Sequence, residues 1–240
     1  MQKMLKALLC VISAQLLGSA VAQINSNDST YQPNVTAAER AAAENLLRSA
    51  ERGSAKAQSE LSKAYMGGNV FKQNVPEAVR WVRAAAEQDL AEAEVDLAIL
   101  YLEGSGVPRD DSKGFSWMKK AADQGNPKGE YNLGVLYGLG RGVAKDIPEG
   151  IRWYLRAAEG GHQKAAFNMG LAYEQGVGVP LDLVKAYMWH YIAAHRFGYF
   201  PSQELLRELS VKIGPAKVEE ARKQAGEWVK AHPNVKTVPM

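Results

Sequence analysis

Tryptophan recurs at Trp81, Trp117, Trp153 and Trp189, and tyrosine at Tyr65, Tyr101, Tyr137 and Tyr173, each 36 residues after the last. Two aromatic columns in one register do not arise by chance. A fixed period of this length belongs to chains that repeat one supersecondary unit and stack the copies, because a single unit cannot bury its own apolar face. Other columns share the register: Ala57, Ala93, Gly129, Ala165; Leu61, Leu97, Leu133, Met169; and Ala85, Ala121, Ala157, Ala193.

Spacing inside one unit sets its secondary structure. Ala57, Leu61 and Tyr65 stand at i, i+4, i+8, one stripe of a first helix, while Ala78, Trp81 and Ala85 stand at i, i+3, i+7 on a second. Gly68, Gly104, Gly140 and Gly176 follow the first helix, where a left-handed residue closes the last turn at little steric cost. Asn74, Asp110, Asp146 and Asp182 are N-cap residues for the second helix, and Glu77 and Glu149 complete capping boxes. Pro76 and Pro148 fit the first turn, where a missing N–H costs little. Each unit is therefore an antiparallel helix pair, and the units run 55–90, 91–126, 127–162 and 163–198.

The flanks lack the period. Residues 23–35 are polar and aperiodic and read as a flexible tether. Thr36 and Glu39 form a capping box for a helix within 36–54 that caps the first unit. After Gly198 two helical patterns follow, Ser202 to Ile213 and Pro215 to Ala231, which together seal the open end over 199–231 and leave a tail at 232–240. Their apolar stripes are Leu205, Leu206, Leu209, Ile213 and Val218, Ala221, Ala225, Trp228, Val229.

Residues 1–22 read as an export signal. Lys3 and Lys6 precede an apolar run from Ala7 to Leu17, and Ala20-Val21-Ala22 offers small residues for cleavage after Ala22. The run is shorter than the ~20 residues of a spanning helix, which argues against a retained anchor. Leu9 is too bulky for a lipidation box at Cys10. That cysteine is the only one, so the mature chain has no disulfide and relies on packing. Loss of Lys3 and Lys6 lowers the formal charge from +3 to +1, with both signs interspersed, and no basic block marks a nucleic-acid partner. The expected location is the periplasm or outside the cell, with no stable membrane insertion after cleavage.

No constellation for chemistry stands out. His162, His190, His195 and His232 are scattered and read as surface or satisfied histidines; the chain lacks an HExxH pair, and we expect no catalytic residues, metal or cofactor. Gly138-Leu139-Gly140-Arg141-Gly142 looks like a phosphate loop, but its glycines fall in the repeat register and read as a turn. The sequons at Asn27 and Asn34 decide nothing.

The pattern Leu133-Gly134, Tyr137, Gly140, Gly142-Val143, Asp146, Trp153-Tyr154, Ala157-Ala158 resembles the Sel-1-like repeats, a branch of the tetratricopeptide-like family, over residues 55–198. The first unit departs most, with Ser62 in place of the glycine after leucine and Asn69-Val70-Phe71 in place of Ser105-Gly106-Val107. The resemblance implies an all-α, right-handed α-solenoid of antiparallel helix pairs and an adaptor role without catalysis. In exported bacterial members it implies immunity to a toxin, such as a type VI secretion lipase, or scaffolding of envelope or flagellar complexes. A penicillin-binding hydrolase is the enzymatic alternative, but its cysteine-rich relatives staple each helix pair, and this chain lacks those cysteines. The expected partner is thus another protein, a toxin effector or an envelope component.

Stacking in that manner directs Val95, Ile99, Leu102, Tyr131, Val135, Leu139, Phe167 and Leu171 onto the concave side, away from the Leu97 and Tyr101 stripe. Lys56, Glu92, Glu103, Lys128, Lys164 and Glu174 rim that side. A helix apolar nearly all round, like that from Val95 to Leu102, is either buried on both sides or offers a surface to a ligand, and the sequence leaves both open.

Overall fold

The computed structural model describes residues 30–233 and 235. The export signal, Cys10 and the Asn27 sequon lie outside the described residues. Among them ten helices follow one another: α1 (Ala37–Glu51), α2 (Ala55–Gly67), α3 (Val75–Ala86), α4 (Ala91–Glu103), α5 (Asp111–Asp123), α6 (Pro127–Leu139), α7 (Ile147–Glu159), α8 (Gln163–Gln175), α9 (Leu183–His195) and α10 (Pro201–Ala231). Each packs on its neighbours in the chain, and α4 also meets α6, the corresponding helix of the next unit. Contact confined to neighbours is the mark of an α-solenoid.

The helix ends are where the columns put them. Gly68, Gly104, Gly140 and Gly176 adopt φ of 66° to 75° and cap α2, α4, α6 and α8. Asn74, Asp110, Asp146 and Asp182 accept backbone N–H groups at the starts of α3, α5, α7 and α9. Thr36 and Glu39 satisfy each other's backbone N–H groups in a full capping box. The boxes expected at Glu77 and Glu149 are only half made. Their carboxylates instead take the guanidinium groups of Arg80 and Arg152, one turn further on.

A second glycine column, two residues after the first, controls how units approach. Gly106, Gly142 and Gly178 also have positive φ, 70° to 74°. A Cβ there would lie 2.4 Å from Val75 Cγ1, 2.1 Å from the Asp111 carbonyl oxygen and 2.9 Å from Ile147 Cγ2, respectively. Each loop therefore rests on the start of the second helix of the preceding unit. The first unit has no such predecessor, and Val70 stands at that position.

What covers Val70 corrects the expectation of a tether. Residues 30–35, the described part of segment 23–35, are docked on the first unit. Gln32 N–H donates to Val70 O and Lys72 N–H to Thr30 O, both at 2.9 Å, and the Gln32 side chain reaches Gly68 O at 2.8 Å. Tyr31 is buried and stacks on Phe71 at 5.2 Å, with Phe71 tilted against Tyr65. Apolar burial and two ladder bonds hold a segment whose composition alone reads as loose.

The core runs through the stack as linked clusters. Leu61, Leu97, Leu133 and the alanines at 85, 121, 157 and 193 are all 0% exposed. Trp81, Trp153 and Trp189 are buried and Trp117 half-buried, with Arg80, Lys120 and Arg156 over the rings of Trp81, Trp117 and Trp153. At the far end α10 lies on α9. It breaks at Gly214 (φ 77°, ψ 167°), just before Pro215, so the two expected segments are distinct arms of one element. Ala221 and Ala225 are buried there, and Trp228 meets Trp189 edge-on at 5.4 Å. The tail is not free at its described end, since Val235 is buried and its carbonyl accepts from Arg196 at 2.8 Å.

Candidate partner-binding face

The expected site residues divide by burial. Val95 and Leu102, 4% and 8% exposed, belong to the core shared by α4, α5 and α6, so neither offers surface to a partner. Leu102 lies against Gly114, whose missing side chain admits it: a Cβ there would stand 2.6 Å from Leu102 Cγ. These two residues of the expected eight are corrected to core. The helix from Val95 to Leu102 thus has Val95 and Leu102 in the core and Ile99 at its surface.

Ile99, Val135 and Leu171 are half-exposed and stand 36 residues apart, one on each of α4, α6 and α8. Leu139 is 68% exposed at the end of α6. Tyr131 and Phe167 are half-buried and engaged by rings: Tyr131 stacks on His162 at 4.3 Å and tilts against Tyr154, and Phe167 meets His190 and Tyr199. They wall the face rather than project from it.

Clefts open along this row. Ile99 lines one of about 220 Å³ with Met66, Val82 and the Lys63–Asp96 ion pair, 3.4 Å long. Leu171 lines another of about 230 Å³ with Ile147, Tyr154, Asn168 and Val177, where Gly134 and Gly138 leave the space. Tyr131 borders a more polar one of about 380 Å³ with Asn132, His162, Lys128 and Lys164. Of the expected rim, Lys128 and Lys164 are thus at a cleft, Glu174 pairs with Lys212 at 3.4 Å, and Lys56, Glu92 and Glu103 are exposed.

Two of the four histidines depart from the expectation of surface or satisfied rings, whereas His195 is exposed and His232 is hydrogen-bonded to the Trp228 carbonyl. His190 is 0% exposed with neither ring nitrogen hydrogen-bonded, and burial pushes its pKa down to about 4. His162 is pushed to about 4 by burial and then by Lys164 and Lys128, and its Nδ1 is buried without a partner. Burial was invisible because the pattern at 154 and 190, Tyr then His, gives no apolar signal at the second position.

Buried carboxylates clasp the units internally. Burial raises the pKa of Glu94, against the pull of Lys120 at 3.1 Å and a hydrogen bond from Gln124 at 2.6 Å. Glu130 is raised for the same reason and paired with Arg156 at 3.1 Å. Both acids are spent on holding helix ends together. Among the described residues no group of three or more His, Cys, Asp or Glu could hold a metal ion, and no helix is long and apolar enough to cross a membrane.

The repeat itself decides the family. The Sel1 repeat profile matches residues 55–90, 91–126, 127–162 and 163–196. The chain belongs to the Sel1 repeat family. A Sel1 repeat protein from Oxalobacter formigenes is 30% identical, over 78% of this chain and 76% of that one, with a TM-score of 0.67. A protective antigen of uropathogenic Escherichia coli, c5321, is 42% identical over 67% of this chain, with a TM-score of 0.62. This chain spans only 33% of that protein's length. The immunity protein PA5088 from Pseudomonas aeruginosa, 19% identical with a TM-score of 0.50 over 86% of this chain and 79% of that one, shares the fold. Comparison with curated proteins gives no match. Sel1 repeat proteins bind other proteins.

Proposed function

We propose that this Sel1 repeat protein works in the periplasm and captures a partner protein on the face carrying Ile99, Val135 and Leu171. One observation carries the reading: these three apolar side chains recur in the second, third and fourth units, where the first has Lys63, and stay half-exposed, while their neighbours Leu97, Leu133 and Met169 are buried. A soluble surface does not keep a spaced apolar row beside open clefts without a use for it. The Lys63–Asp96 pair, Lys128 and Lys164 supply charges of both signs around it, as a polar rim does at protein interfaces. Within this reading the partner is a toxin delivered into the envelope, such as a type VI secretion lipase, which the protein neutralises as an immunity factor. Export by the expected signal puts it where such a toxin acts.

The test is capture from an envelope extract by wild-type protein and by the I99D/V135D/L171D variant, with bound proteins identified by mass spectrometry. A partner held by wild type and lost from the variant, at unchanged helical circular dichroism, supports the face. A partner retained by the variant overturns it, and global unfolding shows the row to be core. Protection of cells expressing the captured protein in the periplasm separates an immunity role from envelope scaffolding.

A further inference from the structure

Arginines of the last unit and its cap lack the ion pairs that most arginines of the repeats make; among the latter Arg83 alone makes none and donates to the Tyr101 hydroxyl at 3.3 Å. Arg80, Arg109, Arg141, Arg152 and Arg156 each hold a carboxylate in an ion pair. Among the described residues Arg196, Arg207 and Arg222 form none. Arg222 lies 5.9 Å over the Tyr191 ring and donates to the Tyr187 hydroxyl at 3.5 Å, with Glu219 acting on it only through space. Arg196 donates to Val235 O, and its Nε is buried with no partner.

The register explains part of this. In the second unit Gln124 donates to the buried carboxylate of Glu94. Two periods later the same positions hold Arg196 and Ala166. The donor has become a cation and its acceptor has gone.

These side chains surround two adjoining clefts between α9 and α10 that share Tyr191, His195 and Arg222. The larger, about 330 Å³, adds Arg207, Gln203 and Ser210. Its neighbour, about 240 Å³, adds Arg196 and an apolar wall of Ile192, Ala225 and Val229. No carboxylate lines either cleft. A guanidinium fork held over an aromatic ring, as Arg222 is, with Arg207 and Arg196 also in these clefts and none of the three in an ion pair, matches a carboxylate, which it binds through paired N–H donors. The apolar wall beside them matches a short aliphatic side chain.

We propose that this double cleft binds a peptide segment of a partner protein in which an acidic residue adjoins an apolar one, its carboxylate between Arg207 and Arg222 and its apolar side chain against Ile192 and Val229. None of its residues belongs to the row of Ile99, Val135 and Leu171, so it stands or falls separately from that face.

Fluorescence anisotropy on the full chain tests it with a fluorescein-labelled hexapeptide centred on Glu-Leu, a matching Gln-Leu peptide, and glutarate as competitor. The Glu-Leu peptide should bind at least tenfold more tightly than the Gln-Leu peptide, weaken as salt rises, and lose tenfold or more on R207Q or R222Q with the thermal midpoint held. Both arginines are exposed, but Arg222 also contacts Tyr187 and Tyr191, so R207Q decides if R222Q misfolds. Equal affinity for the two peptides, or no affinity for either, overturns the site.

Discussion

His190 occupies a column that reads Val82, Met118, Tyr154, His190, and the residues at Ser62, Ala98, Gly134 and Gly170 shrink along it. The two rings fall at the two glycines. A Cβ at Gly170 would stand 2.6 Å from the imidazole, and one at Gly134 2.7 Å from the Tyr154 ring. The imidazole is enclosed by this fit with no acceptor for a second proton, which has a consequence for acid stability. With the folded pKa near 4 and the free value near 6.5, the unfolded chain binds more protons between those pH values. Stability is therefore full above about pH 6.5 and falls as pH drops toward 4. From His190 alone the loss by pH 5 is about 2 kcal/mol. His162 adds in the same direction, while Glu94 and Glu130, raised by burial, act the other way. Urea denaturation of wild type and H190M at pH 7 and pH 5 isolates the contribution, since methionine is the residue this column carries at 118. A pH 5 penalty undiminished in H190M would show that the ring is solvated. The sequence displayed the column but not its enclosure, because histidine is read as polar wherever it stands.

At the scale of elements, the segment 30–35 and the loop of the first unit form one device. The later loops carry Gly106, Gly142 and Gly178 against a preceding helix, whereas the first carries Val70 and Phe71 against Tyr31. The departure of Asn69-Val70-Phe71 from the repeat pattern is thus a signature of where the stack begins. Replacing Tyr31 by alanine removes a buried ring and its stack on Phe71, and should cost about 2–3 kcal/mol, near the low end for aromatic truncation because the segment can relax. Native-state hydrogen exchange should show the loss in α2 and its loop, with α6 to α9 unchanged. Uniform loss along the chain would contradict a local effect. Helix boundaries were legible here to the residue, because caps and glycines mark them locally. The docking of 30–35 was not, since the pairing lies between segments of irregular composition about 40 residues apart and depends on tertiary contact.

Across the described residues, helices pack on their neighbours in the chain and on the adjoining unit, so an uncovered end exposes a full interface. The α9 surface beneath α10 includes Trp189, Tyr187 and Ile192, all nearly fully buried. Truncation after Gly198 should expose it. We expect the truncated chain to bind a hydrophobic dye, self-associate on size-exclusion chromatography and lose protection in α9, while α2 to α6 keep theirs. A monomeric truncate with full protection would show that α10 is dispensable. The solenoid followed from the 36-residue register, the helical spacing within each unit and the resemblance to Sel-1-like repeats, but which of the eight expected residues reach the surface followed only in part. Periodicity marks which side chains share a side of a helix, and six of the eight expected residues keep some exposure; whether a side is covered depends on neighbours such as Gly114, which admits Leu102 into the core.

The contacts through Gly106, Gly142 and Gly178 leave no room for even a methyl group between one unit and the next. The step from unit to unit consequently has no soft joint, and Ile99, Val135 and Leu171 act as graduations on a stiff ruler. On the proposed reading, a partner for this row would have to bring apolar groups at matching intervals, which favours a folded protein with its own rigid spacing over a pliable chain.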